Sequence, residues 1–300
     1  MLMASSPVPR NPGLRPASPP VITVDLEDWF HLLECEAIPG VEAWTSLESR
    51  IEVNTDRLLG LFQRHRIQAT FFTLGWVAEH HPALLRKVAS AGHQIGCHSG
   101  THSLVHLQTP AAFREETRRS ISAITEAISA PVECYRAPGF SITPSSFWAF
   151  EILRELGITT DCSVFPGRHA HGGTGTAFPS TPFRIQVNGQ TLMEFPMSLA
   201  SLGPVQVAFA GGGYFRLLPL SWISRWTRAS PYVMTYFHPR DFDPDQPRIQ
   251  GLSPFRSFKA YVGLKGSFAK LDQYLGQFGG QSLADAQHLI DWKQAPSLQL

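Results

Sequence analysis

The sequence has little charge and no run of like charges. Charged residues make up 16% of the 300 residues, and the formal net charge is only +1. Proteins that bind nucleic acids usually concentrate Lys and Arg on one face, so we expect no nucleic-acid partner. No apolar run approaches the roughly 18 residues that a transmembrane helix needs, so we expect no stable insertion into a membrane.

The sequence also has few cysteines and no recognisable signal-peptide pattern. The four cysteines show no CxxC spacing and lie mostly in apolar stretches, which is typical of buried, reduced thiols. Residues 1–20 are rich in proline and lack the apolar core of a signal peptide. That composition predicts a disordered N-terminal segment. On these grounds we predict a cytoplasmic location.

The remainder of the chain alternates short apolar runs with helical patterns, which predicts parallel strand–helix units. The predicted strands cover residues 21–24, 69–74, 94–97, 132–135, 158–160 and 232–237, with a hairpin formed by 184–187 and 190–195. The predicted helices cover 54–65, 82–91, 110–128, 144–156 and 219–226, and residues 211–213 are predicted to form a tight loop. We therefore expect an α/β fold: one distorted barrel over residues 21–245, followed by a helical extension over 246–300.

Five predicted strands end in a side chain that can do chemistry. These residues are Asp25, His98, Arg136, Asp161 and His238. Because the carboxyl ends of parallel strands meet at one rim of a barrel, where such enzymes keep their active sites, we expect the five to converge.

Two of the predicted strand ends carry metal-binding side chains. His98 and His102 are four residues apart, and Asp25, Glu27 and Asp28 form an acidic cluster. Two imidazoles and one carboxylate form a ligand set that leaves coordination positions open for water and substrate. Alternation along a strand places Asp25 and Glu27 on one side, and Asp28 joins them only if the chain turns. Either Glu27 or Asp28 is therefore the third ligand.

Four motifs resemble those of the polysaccharide deacetylases of carbohydrate esterase family 4, the NodB-homology superfamily. His98-Ser-Gly-Thr-His102 is similar to the metal motif H-[ST]-x-x-H. Arg136-Ala-Pro-Gly-Phe140 and Asp161-Cys-Ser-Val-Phe-Pro166 are similar to two further motifs, R-x-P-x-[GFY] and D-x-S-x-x-P. His238 looks like the final histidine. The resemblance covers about residues 21–245 and implies a (β/α)7-type barrel.

The resemblance also implies a mechanism for the removal of N-acetyl groups from a glycan. One divalent metal ion, expected to be zinc, would activate water, Asp25 would act as base and His238 as general acid. Arg136 would orient Asp25, and Asp161 would orient His238. Trp29, Pro138 and Phe140 are expected to contact the sugar.

The acidic motif departs from the family pattern. Asp25-Leu26-Glu27-Asp28 stands where most members have two adjacent aspartates and a glycine. This variant is similar to exosortase-associated exopolysaccharide deacetylases and to a branch of peptidoglycan deacetylases and allantoinases. Two alternatives therefore remain at this stage, an allantoinase-like hydrolase of a small amide and a non-catalytic carbohydrate-binding module on a degenerate barrel.

Overall fold

The computed structural model describes residues 18–33, 35–169, 171–175, 178–203 and 205–300. Residues 1–20 are the segment predicted to be disordered, and residues 1–17 of it lie outside the described residues. The boundaries predicted at residues 20 and 245 stay predictions.

The first half of the chain forms five parallel strands joined by helices. The strands, which pair in sequence order, are β1 (Thr23–Leu26), β2 (Thr70–Thr73), β3 (Gln94–Cys97), β4 (Cys134–Tyr135) and β5 (Thr160–Asp161). The helices between them are α1 (Ile51–His65), α2 (Gly75–His80), α3 (Pro82–Ser90), α4 (Pro110–Ile128) and α5 (Trp148–Glu155). This arrangement confirms the α/β class.

Helix α4 shows how local sequence sets these elements. The Thr109 hydroxyl accepts the backbone N–H of Ala112, and Pro110 occupies the first turn, where its missing N–H costs nothing. Phe113 and Ile124 lie on the buried face, packed in the main hydrophobic core. The cap and the apolar face together fix where α4 begins and which side meets the sheet.

The sheet continues through an antiparallel hairpin. Strands β6 (Phe183–Val187) and β7 (Gln190–Glu194) are joined by Asn188 and Gly189, whose φ angles of 47° and 73° are those of the predicted type I′ turn. Strand β7 pairs in parallel with β5.

The later part of the chain contains a two-stranded ribbon and five helices among the described residues. The ribbon is β8 (Ala200–Leu202) with β9 (Val205–Val207). The helices are α6 (Gly212–Leu217), α7 (Leu220–Ala229), α8 (Pro254–Tyr261), α9 (Leu264–Phe278) and α10 (Leu283–Leu289). The last strand, β10 (Ser297–Gln299), joins the sheet in parallel beside β6, so residues 246–300 are not helical throughout.

Two local predictions were wrong. Residues 211–213 do not form an isolated loop, because α6 begins at Gly212. The predicted strand 232–237 is not a regular strand, although Met234 and Phe237 form parallel bridges with Val21 and Val24. The ladder is interrupted because the Thr23 backbone N–H donates to the Thr235 side chain, 3.0 Å away, instead of to a backbone carbonyl. The bridges still bring residue 238 beside the end of β1.

No helix among the described residues is long and apolar enough to cross a membrane.

Candidate active site

All five predicted strand-end residues lie at one end of the barrel. Asp25 is the penultimate residue of β1, His98 and Arg136 directly follow β3 and β4, Asp161 is the last residue of β5, and His238 follows the bridged segment. A cavity of about 720 Å³ opens there, and Asp25, His98 and His238 are among its lining residues. The five residues therefore converge at one end of the barrel as the sequence predicts, although Arg136 and Asp161 do not line the cavity.

Glu27 lies within reach of three imidazoles. Its Oε1 atom is 3.5 Å from His102 Nε2, 3.9 Å from His98 Nε2 and 3.3 Å from His238 Nε2. Donor atoms about 2.1 Å from a tetrahedral zinc ion stand about 3.4 Å apart. The atoms of Glu27, His98 and His102 are therefore spaced as ligands of one ion.

Burial keeps both histidines in the form that binds metals, and a hydrogen bond orients His98. His98 Nδ1 donates to the Arg136 carbonyl, 2.7 Å away, so its Nε2 lone pair is directed at the acids. Burial lowers the pKa of His98 to about 4 and that of His102 well below its usual value. Both rings are therefore neutral near pH 7, as metal ligation requires.

The loop that carries the histidines is strained and is held in place by an acid on α4. Ser99 and His102 have φ angles of 68° and 63°, in the left-handed region that side chains other than glycine rarely adopt. The Glu116 carboxylate accepts the N–H groups of Gly100 and Thr101, at 3.2 and 3.0 Å. Strain of this kind at a site is maintained by such surrounding contacts.

The Glu27 carboxylate is only partly compensated, by the His238 imidazole 3.3 Å from its Oε1 atom. Its side chain is 1% exposed and its Oε2 atom has no hydrogen-bond partner among the described residues. Burial raises the pKa of Glu27 to about 7, against the effect of His238 and Arg240. Since a buried carboxylate with an unsatisfied oxygen is costly, a divalent cation would supply the remaining charge. The donor set of Glu27, His98 and His102 thus fits a divalent metal ion.

The structure separates the two acids that the sequence left as alternatives. Asp28 points away from the histidines to the start of α1, where its Oδ2 atom accepts the Ser49 hydroxyl at 2.6 Å and the backbone N–H groups of Arg50 and Ile51 at 2.9 and 3.2 Å. Its carboxylate therefore caps a helix. Between the two acids, Glu27 has the geometry of the ligand.

Asp25 is paired with a buried arginine. Arg136 is fully buried, and its Nη1 atom donates to Asp25 Oδ1 at 2.7 Å and to the Thr23 hydroxyl at 2.8 Å. Burial acts to raise the pKa of Asp25, but Arg136, together with His98 and His238, outweighs it and holds the pKa below its usual value. Asp25 is therefore ionised near pH 7, with Oδ2 facing the cavity histidines.

The aspartate that orients His238 is Asp241, not Asp161. Asp241 Oδ2 lies 2.8 Å from His238 Nδ1 and also accepts the His238 backbone N–H at 3.0 Å. Asp161 instead accepts the Ser163 hydroxyl, 2.7 Å away, at the end of β5. The role assigned to Asp161 from the resemblance was wrong for this chain, because a residue one turn beyond His238 reaches the imidazole directly. The spacing His-Pro-Arg-Asp was the signal in the sequence.

We expect Asp241→Asn to slow turnover by roughly 10- to 100-fold, the usual effect of removing a partner that orients a site histidine. Burial acts to lower the pKa of His238, but the charges of Asp241 and Glu27 outweigh the effect of burial, so the pKa is raised. Without the Asp241 charge that pKa falls, so activity that requires protonated His238 should be lost at a lower pH on the alkaline side. A pH–rate profile checks this. The exposed Asp245→Asn change is the control, and an unmoved alkaline limb would contradict the role.

Asp161 belongs to a buried pair of carboxyl groups. Its neighbour is the Glu194 side chain on β7, and burial raises the pKa of Asp161 as well as that of Glu194. Burial, with the Asp161 charge beside it, raises the pKa of Glu194 well above its usual value. Glu194 Oε1 accepts the Val164 N–H at 3.0 Å, and both acids are fully buried. The pair joins two neighbouring strands of the barrel.

This pair predicts a pH dependence of stability. A folded-state pKa above the unfolded value stabilises the protein fully below the unfolded pKa, and that contribution is lost as the pH rises through the folded pKa. The free energy of unfolding should therefore fall above about pH 5, by about 1.4 kcal/mol for each pH unit over which only the folded state keeps the proton. Glu194→Gln, which cannot ionise, should flatten this decline in urea titrations. The exposed Glu133→Gln should not, and equal slopes in all three proteins would refute the prediction.

The three predicted sugar-contacting residues differ in position. Phe140 lines the cavity, with its ring centroid 5.5 Å from the Arg136 guanidinium carbon. Trp29 does not line it, because the indole packs in the core against Phe30 and donates to the Glu48 carbonyl at 2.8 Å. Pro138 is also buried away from the cavity lining. The expectation was thus wrong for Trp29 and Pro138.

The fold and this cluster define an α/β barrel with a candidate metal centre at the carboxyl ends of its strands. Residues 44–160 match the family model "Polysaccharide deacetylase", and residues 162–287 match "Domain of unknown function (DUF3473)". Residues 44–160 are therefore a polysaccharide deacetylase domain, which confirms the resemblance. The matched stretch includes His98, His102 and Arg136, whereas Asp25 and Glu27 precede it.

Curated relatives are similar over short stretches. A chitooligosaccharide deacetylase of Rhizobium leguminosarum bv. trifolii is 36% identical over 74 residues, which are 25% of this chain and 33% of that protein. A peptidoglycan-N-acetylglucosamine deacetylase of Bacillus cereus is 29% identical over 84 residues, 28% of this chain and 31% of that protein. The matched stretches span about a third of the length of these relatives.

Solved structures are similar over nearly the whole chain. A polysaccharide deacetylase structure from Mycobacterium smegmatis, itself described as putative, has a TM-score of 0.66 at 18% identity and covers 96% of this chain and 98% of that one. An allantoinase has a TM-score of 0.56 at 16% identity, covering 95% and 94%. These likenesses confirm the barrel fold.

Proposed function

We propose that this protein is a metal-dependent hydrolase that removes N-acetyl groups from an N-acetylated glycan. The observation that carries the proposal is the arrangement at one end of the barrel. A carboxylate and two neutral imidazoles are spaced for one metal ion, and a second, ionised carboxylate and a third histidine face the same cavity. The matched deacetylase domain supports this chemistry.

Glu27, His98 and His102 would hold the metal, for which the mixed carboxylate and imidazole set favours zinc. When bound, such an ion polarises the amide carbonyl and makes a nearby water molecule more acidic. The remaining steps belong to side chains of this chain. Arg136 holds the ionised Asp25 in place. Asp25 takes a proton from the water molecule that attacks the amide carbon.

His238 would act on the leaving nitrogen. Its Nδ1 atom is held by Asp241, so Nε2 carries the proton that faces the cavity, 3.9 Å from Asp25 Oδ2. Asp241 and Glu27 raise the pKa of His238, which favours the protonated ring. Donation of that proton to the nitrogen lets the sugar leave as an amine while acetate stays behind.

Acetate release from N-acetylglucosamine oligomers tests the proposal. We expect turnover with a bell-shaped pH profile, whose limbs reflect Asp25 and His238, and a loss of roughly 10²–10⁴-fold in His238→Ala with unchanged metal content. Allantoin should not be opened. Hydrolysis of allantoin without any acetate release from glycans would instead support the allantoinase-like alternative, and binding of glycans without hydrolysis would support the carbohydrate-binding module.

A further inference from the structure

Among the described residues, the lining of the cavity carries more positive charge than its acids compensate. The cavity-lining acids among the described residues are Asp25, Glu27 and Asp241. Asp25 is paired with Arg136, and Asp241 is paired with His238 and, at 3.0 Å, with Arg216. Glu27 would be bound to the metal. The acids are therefore all engaged within the site.

Besides Arg256, three further cations line the same cavity. Arg168, Arg240 and Lys259 have no carboxylate within 4.0 Å in the described part of the chain. Lys259 Nζ instead lies 5.3 Å from the ring centroid of Phe255, on the α8 side of the opening. In a protein with a net charge of +1, this is a local excess of positive charge.

Arg240 is the cation nearest the chemistry. It follows His238 by two residues, and it acts electrostatically on Glu27, His238 and Asp241. Its Nε atom is buried and has no hydrogen-bond partner among the described residues. A guanidinium donates two parallel hydrogen bonds to a carboxylate or a phosphate, so an anionic ligand would satisfy this group.

We propose that the cavity binds an anionic glycan, in which a carboxylate or phosphate close to the N-acetylated sugar contacts Arg240 and Lys259. This inference rests on the proposed function and names its substrate class. The negative group would be steered to the opening by the three cations and would place the acetamide between Asp25 and His238. Neutral oligomers of N-acetylglucosamine would lack these contacts and be poorer substrates.

A set of matched ligands tests the charge. A hyaluronan tetrasaccharide alternates N-acetylglucosamine with a uronic acid, its methyl ester has the same sugars without the charge, and chitotetraose is neutral throughout. With metal-loaded protein we expect kcat/KM to be roughly 10- to 100-fold higher for the acid than for its ester, the effect of charge-assisted hydrogen bonds. The advantage should shrink as salt is added. UDP-N-acetylglucosamine carries phosphate groups instead of a carboxylate. Its kcat/KM, compared with that of the acid, distinguishes recognition of phosphate from recognition of carboxylate.

A matched pair of variants tests the residues. The double variant Arg240→Gln/Lys259→Gln should remove most of the preference for the acid over the ester. Lys265→Gln/Lys293→Gln removes the same charge from exposed positions that do not line the cavity, and it should keep the preference. An equal loss in both variants would show that only net charge matters and would overturn the assignment.

Binding separates this inference from the deacetylase proposal. Asp25→Asn loaded with metal should bind the acid more tightly than the ester in calorimetry, even if no glycan is hydrolysed by the wild type. Equal affinity for both would overturn the inference and leave the deacetylase proposal standing. If no glycan releases acetate but the acid still binds preferentially, the deacetylase proposal is overturned and the inference of an anionic ligand stands.

Discussion

Replacing Asp25 by Asn should reduce acetate release by roughly 10²–10⁴-fold, the usual contribution of a positioned general base. The amide oxygen can still accept the hydrogen bond that Arg136 donates to Asp25 Oδ1 at 2.7 Å, so the side chain should keep its place. What it loses is the ability to take a proton. Steady-state kinetics of the metal-loaded variant measure the effect.

Metal content is the control for Asp25→Asn. Glu27 Oε1 lies closer to His102 Nε2, at 3.5 Å, than Asp25 Oδ2 does to His98 Nε2, at 4.0 Å. The variant should therefore bind as much metal as the wild type. If Asp25→Asn loses its metal while Glu27→Gln keeps it, the roles of the two acids have been exchanged.

Replacing both His98 and His102 by Ala should abolish metal binding and reduce acetate release to the background. Two of three protein ligands are then missing, and the remaining carboxylate cannot hold a transition metal ion alone at micromolar concentrations. Metal analysis and acetate release on the same preparation test this. Full metal occupancy in the double variant would contradict the site.

Two single variants serve as controls for the histidine pair. His106 lies one turn beyond His102, is not part of the cavity lining and has its Nδ1 atom 3.3 Å from the Ser141 carbonyl, so His106→Ala should keep metal and activity. Asp28→Asn should also keep the metal, but it weakens the cap of α1 and should lower stability by about 1 kcal/mol. Metal loss in either variant would mean that the ligand set has been misidentified.

The sequence predicted the barrel because its strands and helices follow strong local patterns. Residues 94–97 are a strand as predicted, and the hairpin turn at Asn188 and Gly189 forms because both residues tolerate positive φ. Residues 232–237 were harder to predict. Their apolar pattern is that of a strand, but the Thr235 hydroxyl accepts the Thr23 backbone N–H and interrupts the ladder. Such a contact between residues 212 positions apart has no local signal.

The candidate site could be predicted where a side chain lies close to the carboxyl end of a strand, as Asp25 and His98 do. Glu27 and Asp28 could not be distinguished from the sequence, because their separation depends on the turn after β1 and on the position of the distant Ser49 hydroxyl. Asp241 was missed because a resemblance carries over roles by motif, whereas orientation of a histidine depends on which carboxylate reaches its ring.

The most direct test of the account is a titration of metal-stripped protein with zinc in which bound metal and acetate release from an N-acetylated glycan are followed together. We predict that activity rises in proportion to bound zinc and stops rising at one ion per chain, and that neither signal appears in the variant without His98 and His102. Full acetate release by the metal-free protein, or saturation with zinc without any acetate release, would contradict it.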